Sequence, residues 1–318
     1  MTEILPLQST VLDVARLTRP QREQRVFDLI ASSHRILETE IEKHADGHEI
    51  VAKVLLYSGG NDSTTLAHMF KDVATHAAHA NTTVGIESTR QFVRDTCASW
   101  GLPLIEKLPP EGQRYADFVL GNVYAWSRKH GELRRVYPGG FPGPAQHFFV
   151  YQRLKERCLE QVRNDLVENP RKQRVVFIAG RRRDESKRRN NVPISERRGS
   201  TIWVSPLVEW TKLDLQMYRV MFPDVPRNKA SDLIHMSGEC LCGAFAKQNE
   251  LDEVEYWFPE DVQQIRELER LLENRIDIPA ERRKYGWGAY KHIKPSKTGP
   301  LCDSCVAPEA GEIVRVAA

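Results

Sequence analysis

The stretch Ser58-Gly-Gly-Asn-Asp-Ser63 combines residue types and spacing that can do chemistry. An apolar run, Val51–Tyr57, stops at Ser58, two glycines follow, and a polar segment then opens a helix-like pattern. A strand, a glycine turn and a helix N-terminus together make an anion site out of backbone. Helix N-termini carry unsatisfied N–H groups and roughly half a positive charge. Gly59 and Gly60 let the chain approach a phosphate with no Cβ in the way. Ser58 and Ser63 add hydroxyl donors. Asp62 suits such a place if it caps the helix or faces a metal. The spacing is not Gly-x-x-x-x-Gly-Lys-Ser/Thr, so this is not a Walker A loop. The plainer alternative is a glycine turn between a core strand and a core helix.

A second candidate follows another β-like run, Arg174–Ala179. Gly180-Arg-Arg-Arg-Asp-Glu-Ser-Lys-Arg-Arg189 places guanidiniums and carboxylates at a strand's end. In open α/β sheets ligands gather there. Arginines at such a point suit phosphate or sulfate through bidentate contacts, and Asp184 and Glu185 can orient them. The alternatives are a solvated charge run or, through Arg198, a basic patch for nucleic acid.

The third candidate is sulfur. Gly238-Glu-Cys-Leu-Cys-Gly243 and Leu301-Cys-Asp-Ser-Cys305 pair Cys240 with Cys242 and Cys302 with Cys305. Two thiol pairs far apart in sequence fit one four-thiolate metal site that closes the tail onto the domain. Thiolate number alone does not separate zinc from a [4Fe–4S] cluster. Cys97 and Cys158 lie on apolar helical stripes and read as core thiols. His68, His76 and His79 are helix-spaced and make poor metal candidates. Lys155 reads as a helix-surface lysine, with a phosphate contact as the rival. Tyr285-Gly-Trp-Gly288 is expected to pack against the cysteine region.

Elements must position these residues. Residues 20–45 form an amphipathic helix through Val26, Leu29, Ile30, Leu37 and Ile41. Val51–Tyr57 is the first strand, and Ser63 begins a helix running to about Ala78. Thr82–Ile86 is expected as the second strand, 89–100 as a helix and Leu102–Ile105 as a third strand. The Pro/Gly stretch Tyr137–Pro144 must be loop. Gln146–Asp165 returns to helix. Strands at Arg174–Ala179 and Thr201–Val204 and a helix over Thr211–Met221 complete the alternation. The alternation predicts an α/β fold, a doubly wound, mostly parallel sheet with helices on both faces. After Pro223 the rhythm ends, and helices at 248–255 and 259–275 lead to the last cysteine pair. The expected division is a helical segment (1–48), a nucleotide-binding α/β domain (49–225) and a mainly helical four-cysteine subdomain (226–318).

The 318 residues can bury a large core, and the net charge of +3 is too weak to imply nucleic acid by itself. No apolar run reaches the ~18 residues of a membrane span. The start, Met-Thr-Glu-Ile-Leu-Pro, is not a signal peptide. Six cysteines without an export signal suggest a reducing, cytoplasmic setting.

Ser-Gly-Gly-x-Asp-Ser resembles the PP-loop of the adenine-nucleotide α-hydrolase-like superfamily. That group includes N-type ATP pyrophosphatases and phosphoadenosine phosphosulfate (PAPS) reductases. Gly180-Arg-Arg-Arg-Asp-Glu-Ser-x-x-Arg189 resembles the Gly-x-Arg-x-x-Glu-Ser-x-x-Arg element of the PAPS reductase family. Pro206-Leu-Val-Glu-Trp-Thr-Lys-Leu-Asp214…Tyr218 resembles its Pro-Leu/Ile-x-x-Trp-Thr-x-x-Asp…Tyr element. Glu87-Ser-Thr89 stands where that family usually has Asp-Thr-Gly. The four blocks cover about 50–245. The resemblance implies Ser58, Gly59, Gly60, Asp62 and Ser63 as phosphate-loop residues. It implies Arg182, Glu185, Ser186 and Arg189 as the substrate loop, with Arg181 or Arg183 able to replace Arg182. Asp62, Ser63, Arg182 and Glu185 become the expected catalytic set.

The resemblance also implies the cofactors: ATP or PAPS, Mg²⁺, and at the four cysteines a [4Fe–4S] cluster, with Zn²⁺ as the alternative. Related enzymes commonly use adjacent cysteines in the first pair, whereas Leu241 separates them here. Two chemistries are implied. In a PAPS reductase a thiolate from a Glu-Cys-Gly-x-His element attacks the sulfate sulfur and sulfite forms; that element is absent from these residues. In an ATP pyrophosphatase a substrate oxygen attacks the α-phosphorus, pyrophosphate leaves, and the adenylated substrate accepts sulfur. The second is the preferred expectation. A zinc-knuckle nucleic-acid-binding protein is the rival of another class. The expected partners are an adenine nucleotide and an unidentified sulfur or adenylate acceptor, for which nucleic acid is one option, with a homodimer left open and no membrane.

Overall fold

The computed structural model describes residues 9–185, 189–247 and 249–288. A short helix α1 (Val11–Ala15) precedes the long α2 (Arg19–Ala45). Strand β1 (Glu49–Leu56) feeds α3 (Asn61–Phe70), and β2 (His76–Ala80) feeds α4 (Glu87–Ser99). Then come β3 (Leu104–Lys107), α5 (Tyr115–Leu120) and a hairpin of β4 (Tyr124–Ser127) and β5 (Glu132–Arg135). A continuous helix follows as α6 (His147–Tyr151), a π-helical turn (Gln152–Glu156) and α7 (Arg157–Leu166). Strands β6 (Gln173–Ile178), β7 (Ser195–Arg198) and β8 (Thr201–Val204) lead to α8 (Lys212–Met221). The described chain closes with α9 (Lys229–Ile234), α10 (Glu250–Trp257) and α11 (Pro259–Leu272).

The main sheet runs β3-β2-β1-β6-β8-β7, parallel except where β7 meets β8. Alternation along the central strands divides the core. Ala52, Val54, Val175 and Phe177 face Leu159 and Val162 of α7. Leu55, Val176 and Ile178 face the opposite layer, with Val26 and Leu29 of α2 and Leu66 and Phe70 of α3. Helices therefore cover both faces, as the alternation predicts. A further core joins Tyr115, Phe118, Val150 and Leu154 to Val262, Ile265 and Leu268 of α11.

The Pro206–Tyr218 stretch is a buried clasp between α2 and α8. Trp210 Nε1 donates to Ser33 Oγ (2.9 Å), which donates to Pro206 O (2.9 Å). Asp214 caps α8 through Thr211 and takes the Arg25 guanidinium at 2.9 Å. Asp214 is 1% exposed, so this is an ion pair removed from water.

Two local expectations are corrected. The helix after Gly60 ends at Phe70 rather than near Ala78, and Thr82–Ile86 is not a strand of the sheet. Thr75–Ala80 is alanine-rich, which favours helix locally. Its backbone instead pairs with β1 at Val54↔His76 and with β3 at Ala77↔Leu104, and tertiary pairing overrides propensity. His79 is consequently a core residue on β2, with Nδ1 2.9 Å from Tyr57 O. The β-branched Thr82–Ile86 does pair, but with the cysteine turn: Ile86 N donates to Gly238 O (2.8 Å) and Leu241 N to Val84 O (2.6 Å).

Candidate functional site

β1 pairs with β2 on one side and β6 on the other, so the sheet reverses direction of winding at β1/β6. Such a switch point opens a crevice beyond the strands' C-terminal ends. The Ser58–Ser63 loop leaves β1 there, and the Arg181–Glu185 loop leaves β6 beside it.

Gly59 adopts φ +76°, and Gly60 caps α3 in extended conformation. A Cβ on Gly59 would press to 3.0 Å against Thr89 and Val93, so the turn has no room for a side chain. Ser58 Oγ lies 3.0 Å from Ser63 Oγ, which donates to Gly60 O at 3.0 Å. These bonds hold the loop closed around the first-turn N–H groups of α3.

Arg182 is 4% exposed and its Nε donates to Asp62 Oδ2 at 2.7 Å. The same guanidinium reaches Trp210 O (3.4 Å) and stands 3.7 Å from Asp184. Of the three consecutive arginines, Arg182 is the one paired with Asp62. Arg181 turns to the sheet edge, bonding Ser205 and Glu196 at 3.0 Å each and lying over Trp203. Arg183 Nε donates to Val192 O. Glu185 pairs with Arg189. Burial pushes the Glu185 carboxyl above its ordinary value; Arg189 opposes this and the Asp62 charge adds to it. The structure thus brings Ser58, Gly59, Gly60, Asp62, Ser63 and Arg182 together, with the Glu185–Arg189 pair alongside. Ser186 lies outside the described residues.

Among the described residues of the Arg181–Arg198 run, several arginines meet carboxylates. Arg198 pairs with Glu196 at 2.9 Å and approaches Glu156, and Arg197 approaches Asp46. These carboxylates offset part of the charge that composition alone suggested for nucleic acid.

Several residues of the crevice were not singled out from sequence. Asn228 Nδ2 donates to Gly59 O (2.9 Å) and Thr89 Oγ1 (3.1 Å), fixing the glycine turn from α9. Thr89 Oγ1 donates to Ser237 O at 2.9 Å. A Cβ on Gly60 would come within 2.9 Å of the Ser237 Cβ. Arg219 of α8 bonds Asn61. The signal available for Asn228 was its place as the N-cap of α9.

Ser237 leads into the Cys240–Cys242 turn, which therefore abuts the glycine loop. Tyr115 OH donates to Cys242 O (2.9 Å), and Gly243 leaves room for the Tyr285 ring, which a Cβ would meet at 2.6 Å. Tyr285 thus packs on the cysteine turn as expected, while Trp287 Nε1 bonds Phe141 O at 2.7 Å. A cavity of about 330 Å³ opens over the turn, lined by Cys240, Cys242, Lys155, His147, Tyr151 and Tyr285 among others. Lys155 Nζ lies 2.9 Å from Glu239. Burial alone would lower the ammonium; Glu239 and Cys240 outweigh it and hold it above its ordinary value. Hydrogen bonding from the Cys242 thiol, against burial and with help from Lys155, draws the Cys240 thiol below its ordinary value. Two adjacent soft donors, one poised toward thiolate, suit zinc or an iron–sulfur cluster. Cys302 and Cys305 lie outside the described residues, and among those described no group of three metal-binding side chains occurs. Cys97 and Cys158 sit in the cores, their thiols pushed up by burial to about 12 and about 11.

A mostly parallel α/β sheet with a glycine-rich anion loop and a buried arginine at its switch point defines a nucleotide-binding class of fold. The family model for the phosphoadenosine phosphosulfate reductase domain matches residues 52–229, and the chain belongs to that family. Among solved structures it is similar to a PAPS reductase from Candida auris, determined as a phosphate complex. The two share 16% identity over 71% of this chain and 94% of that one, with a TM-score of 0.43. It is also similar to a U34-tRNA thiolase from Methanococcus maripaludis, determined with its [4Fe–4S] cluster. There identity is 15% over 77% of this chain and 79% of that one, with a TM-score of 0.37. No curated protein matches the chain. Among the described residues no helix is long and apolar enough to cross a membrane.

Proposed function

We propose that the chain is an enzyme that binds ATP across Ser58–Ser63 and Arg182, adenylates an acceptor and couples that step to sulfur transfer. One observation carries the reading: the Arg182–Asp62 junction at the switch point stands beside a Cys-x-Cys turn whose Ser237 touches the glycine loop. The glycine loop thus packs against the segment that leads into the two thiols, which supports a reading in which both act together.

In this reading the α3 N–H groups and the Ser58 and Ser63 hydroxyls hold the phosphates. Arg182 holds Asp62 by one carboxylate oxygen and adds positive charge to the crevice. Asp62 would hold Mg²⁺, which when bound neutralises phosphate charge. An acceptor oxygen attacks the α-phosphorus, the bond to the bridging oxygen breaks, and pyrophosphate leaves. Loop N–H groups and the guanidinium stabilise the charge that develops there. Glu185, raised by burial, is suited to exchange a proton with the acceptor. Cys240 and Cys242, with Cys302 and Cys305, would hold a [4Fe–4S] cluster, which supplies sulfur or redox chemistry when bound.

The division at about 48 and 225 is part of the proposal. The cysteine subdomain then shares its core with residues 115–154 through Tyr115, Phe118 and Leu154.

The test is to incubate the anaerobically purified protein with ATP and candidate acceptors and to assay pyrophosphate. Acceptor-dependent pyrophosphate, lost in Asp62→Ala, supports the reading. Conversion of PAPS to sulfite with ATP inert overturns it.

A further inference from the structure

Residues 124–135 form a two-stranded ribbon outside the main sheet. Tyr124 stands opposite Arg135 and Trp126 opposite Leu133. Side chains on alternate positions share a face, so Tyr124, Trp126, Leu133 and Arg135 lie on one side. Trp126 is 63% and Leu133 65% exposed, and Tyr124 is also exposed. A cluster of large exposed apolar groups marks an interaction surface.

The ribbon is also cationic. Arg128, Lys129, Arg134 and Arg135 oppose the single carboxylate Glu132 within it. Four positive charges against one negative give twelve residues a net +3, the same as the whole chain of 318. Arg134 approaches Glu132 at 3.3 Å and Arg135 approaches Asp277 at 3.6 Å. All four groups are well exposed, and such pairs hold little energy against a competing anion.

The arm is rigid at its root. Val136 N donates to Val123 O (2.8 Å), Val123 and Tyr137 are buried, and the Arg282 guanidinium lies over the Tyr137 ring. At the tip, His130 N and Gly131 N both donate to Ser127 O. Little ordering is left to lose on binding. From β5 the chain passes through buried Phe141 into α6, whose His147 and Tyr151 line the cysteine cavity.

We propose that this ribbon binds a single-stranded stretch of nucleic acid. Bases stack on exposed aromatic rings, and phosphates are met by cations spaced along the same strand. An acidic peptide would satisfy the cations but does not carry a flat group beside every negative charge, as a nucleic acid strand does for Tyr124 and Trp126. A bilayer surface favours cations ringing an apolar face, whereas Arg135 stands within this face, opposite Tyr124. The Arg181–Arg198 stretch holds no aromatic residue, so it lacks the stacking surface that the ribbon has. The binding stands independently of the proposed reaction; only the strand's role as the acceptor rests on that reading.

The test uses the full chain and fluorescence anisotropy with labelled single-stranded DNA and RNA of about 16 nucleotides. A matched duplex and phosphatidylserine vesicles are run beside them. Trp126→Ala should weaken single-strand binding about tenfold. Arg128→Ala combined with Lys129→Ala should lower the slope of log affinity against log salt by about 1.4. Both variants should melt with the parent protein and bind ATP equally, which separates loss of the ribbon from loss of the fold. Asp62→Ala should cut pyrophosphate release about 10²–10³-fold yet leave oligonucleotide binding intact, so failure of one reading is distinct from failure of the other. Absent binding at low salt overturns the proposal. So does binding that the ribbon variants leave unchanged, a preference for the duplex, or vesicle binding without oligonucleotide binding.

Discussion

Arg182 donates to Asp62 across 2.7 Å, joining the loop after β6 to the first turn of the helix after β1. The two lie far apart in sequence and meet because β1 and β6 are neighbours in the sheet. A buried guanidinium without its carboxylate is costly, and a carboxylate without its guanidinium loses its orientation. Asp62→Ala and Arg182→Ala should each reduce acceptor-dependent pyrophosphate release by about 10²–10³-fold, the range for a lost electrostatic contact to a transition state. Arg182→Lys should recover little, since an ammonium cannot reach Asp62 and Trp210 O with a planar fork. Steady-state pyrophosphate assays on the three variants check this.

Gly60 has an ordinary φ, so a side chain there is excluded by space rather than by backbone strain. The obstacle is Ser237, 2.9 Å from where a Cβ would sit. Gly60→Ala should weaken ATP binding and destabilise the fold by about 1–3 kcal/mol, the cost of overpacking. Ser237→Gly in the same chain removes the clash and should restore most of both. Calorimetric ATP titration of the single and double variants would show whether the rescue occurs.

Arg25 and Asp214 form an ion pair in which neither side chain is more than 5% exposed. Asp214 also caps α8 through Thr211. Asp214→Ala should cost about 3–5 kcal/mol, because it strands a buried charge. Replacing both residues by apolar ones of similar size should cost less than the single change. Urea unfolding of the single and double variants measures the difference.

The four described cysteines divide by environment. Cys240→Ser and Cys242→Ser should lose bound metal, seen as loss of iron and sulfide and of the visible absorbance of the anaerobically purified protein. Cys97→Ala and Cys158→Ala should retain it. With thiols at about 12 and about 11, Cys97 and Cys158 are almost wholly protonated near neutrality. They should resist alkylation until urea unfolds the chain, which peptide mass mapping would follow.

Much of the architecture was readable because period and punctuation agreed. The 3–4 spacing of α2, the apolar runs of β1 and β6 and the glycines after them all pointed one way. The first five named loop residues and Arg182 meet at one crevice for the same reason. What stayed hidden depended on partners remote in sequence. His76–Ala80 is strand because β1 and β3 flank it, and its alanines carry no sign of that. The choice of Arg182 among three arginines is made by side-chain direction along an irregular loop. Asn228 and Ser237 join the crevice through tertiary contact alone. The β4–β5 hairpin escaped because its strands are short and exposed, so no buried face imposed a clear alternation.

The wall that Gly60 shares with Ser237 has a thermodynamic meaning. If nucleotide shifts the glycine loop, it shifts the turn that carries Cys240, and binding at the two places becomes linked. Linkage is reciprocal: whatever factor metal at the cysteines applies to nucleotide affinity, nucleotide must apply to metal affinity. Metal-free and metal-loaded protein should then differ in nucleotide affinity by the same ratio in which nucleotide protects the metal from a chelator. On the proposed reading, nucleotide at the glycine loop and metal at Cys240 would each report on the other's occupancy.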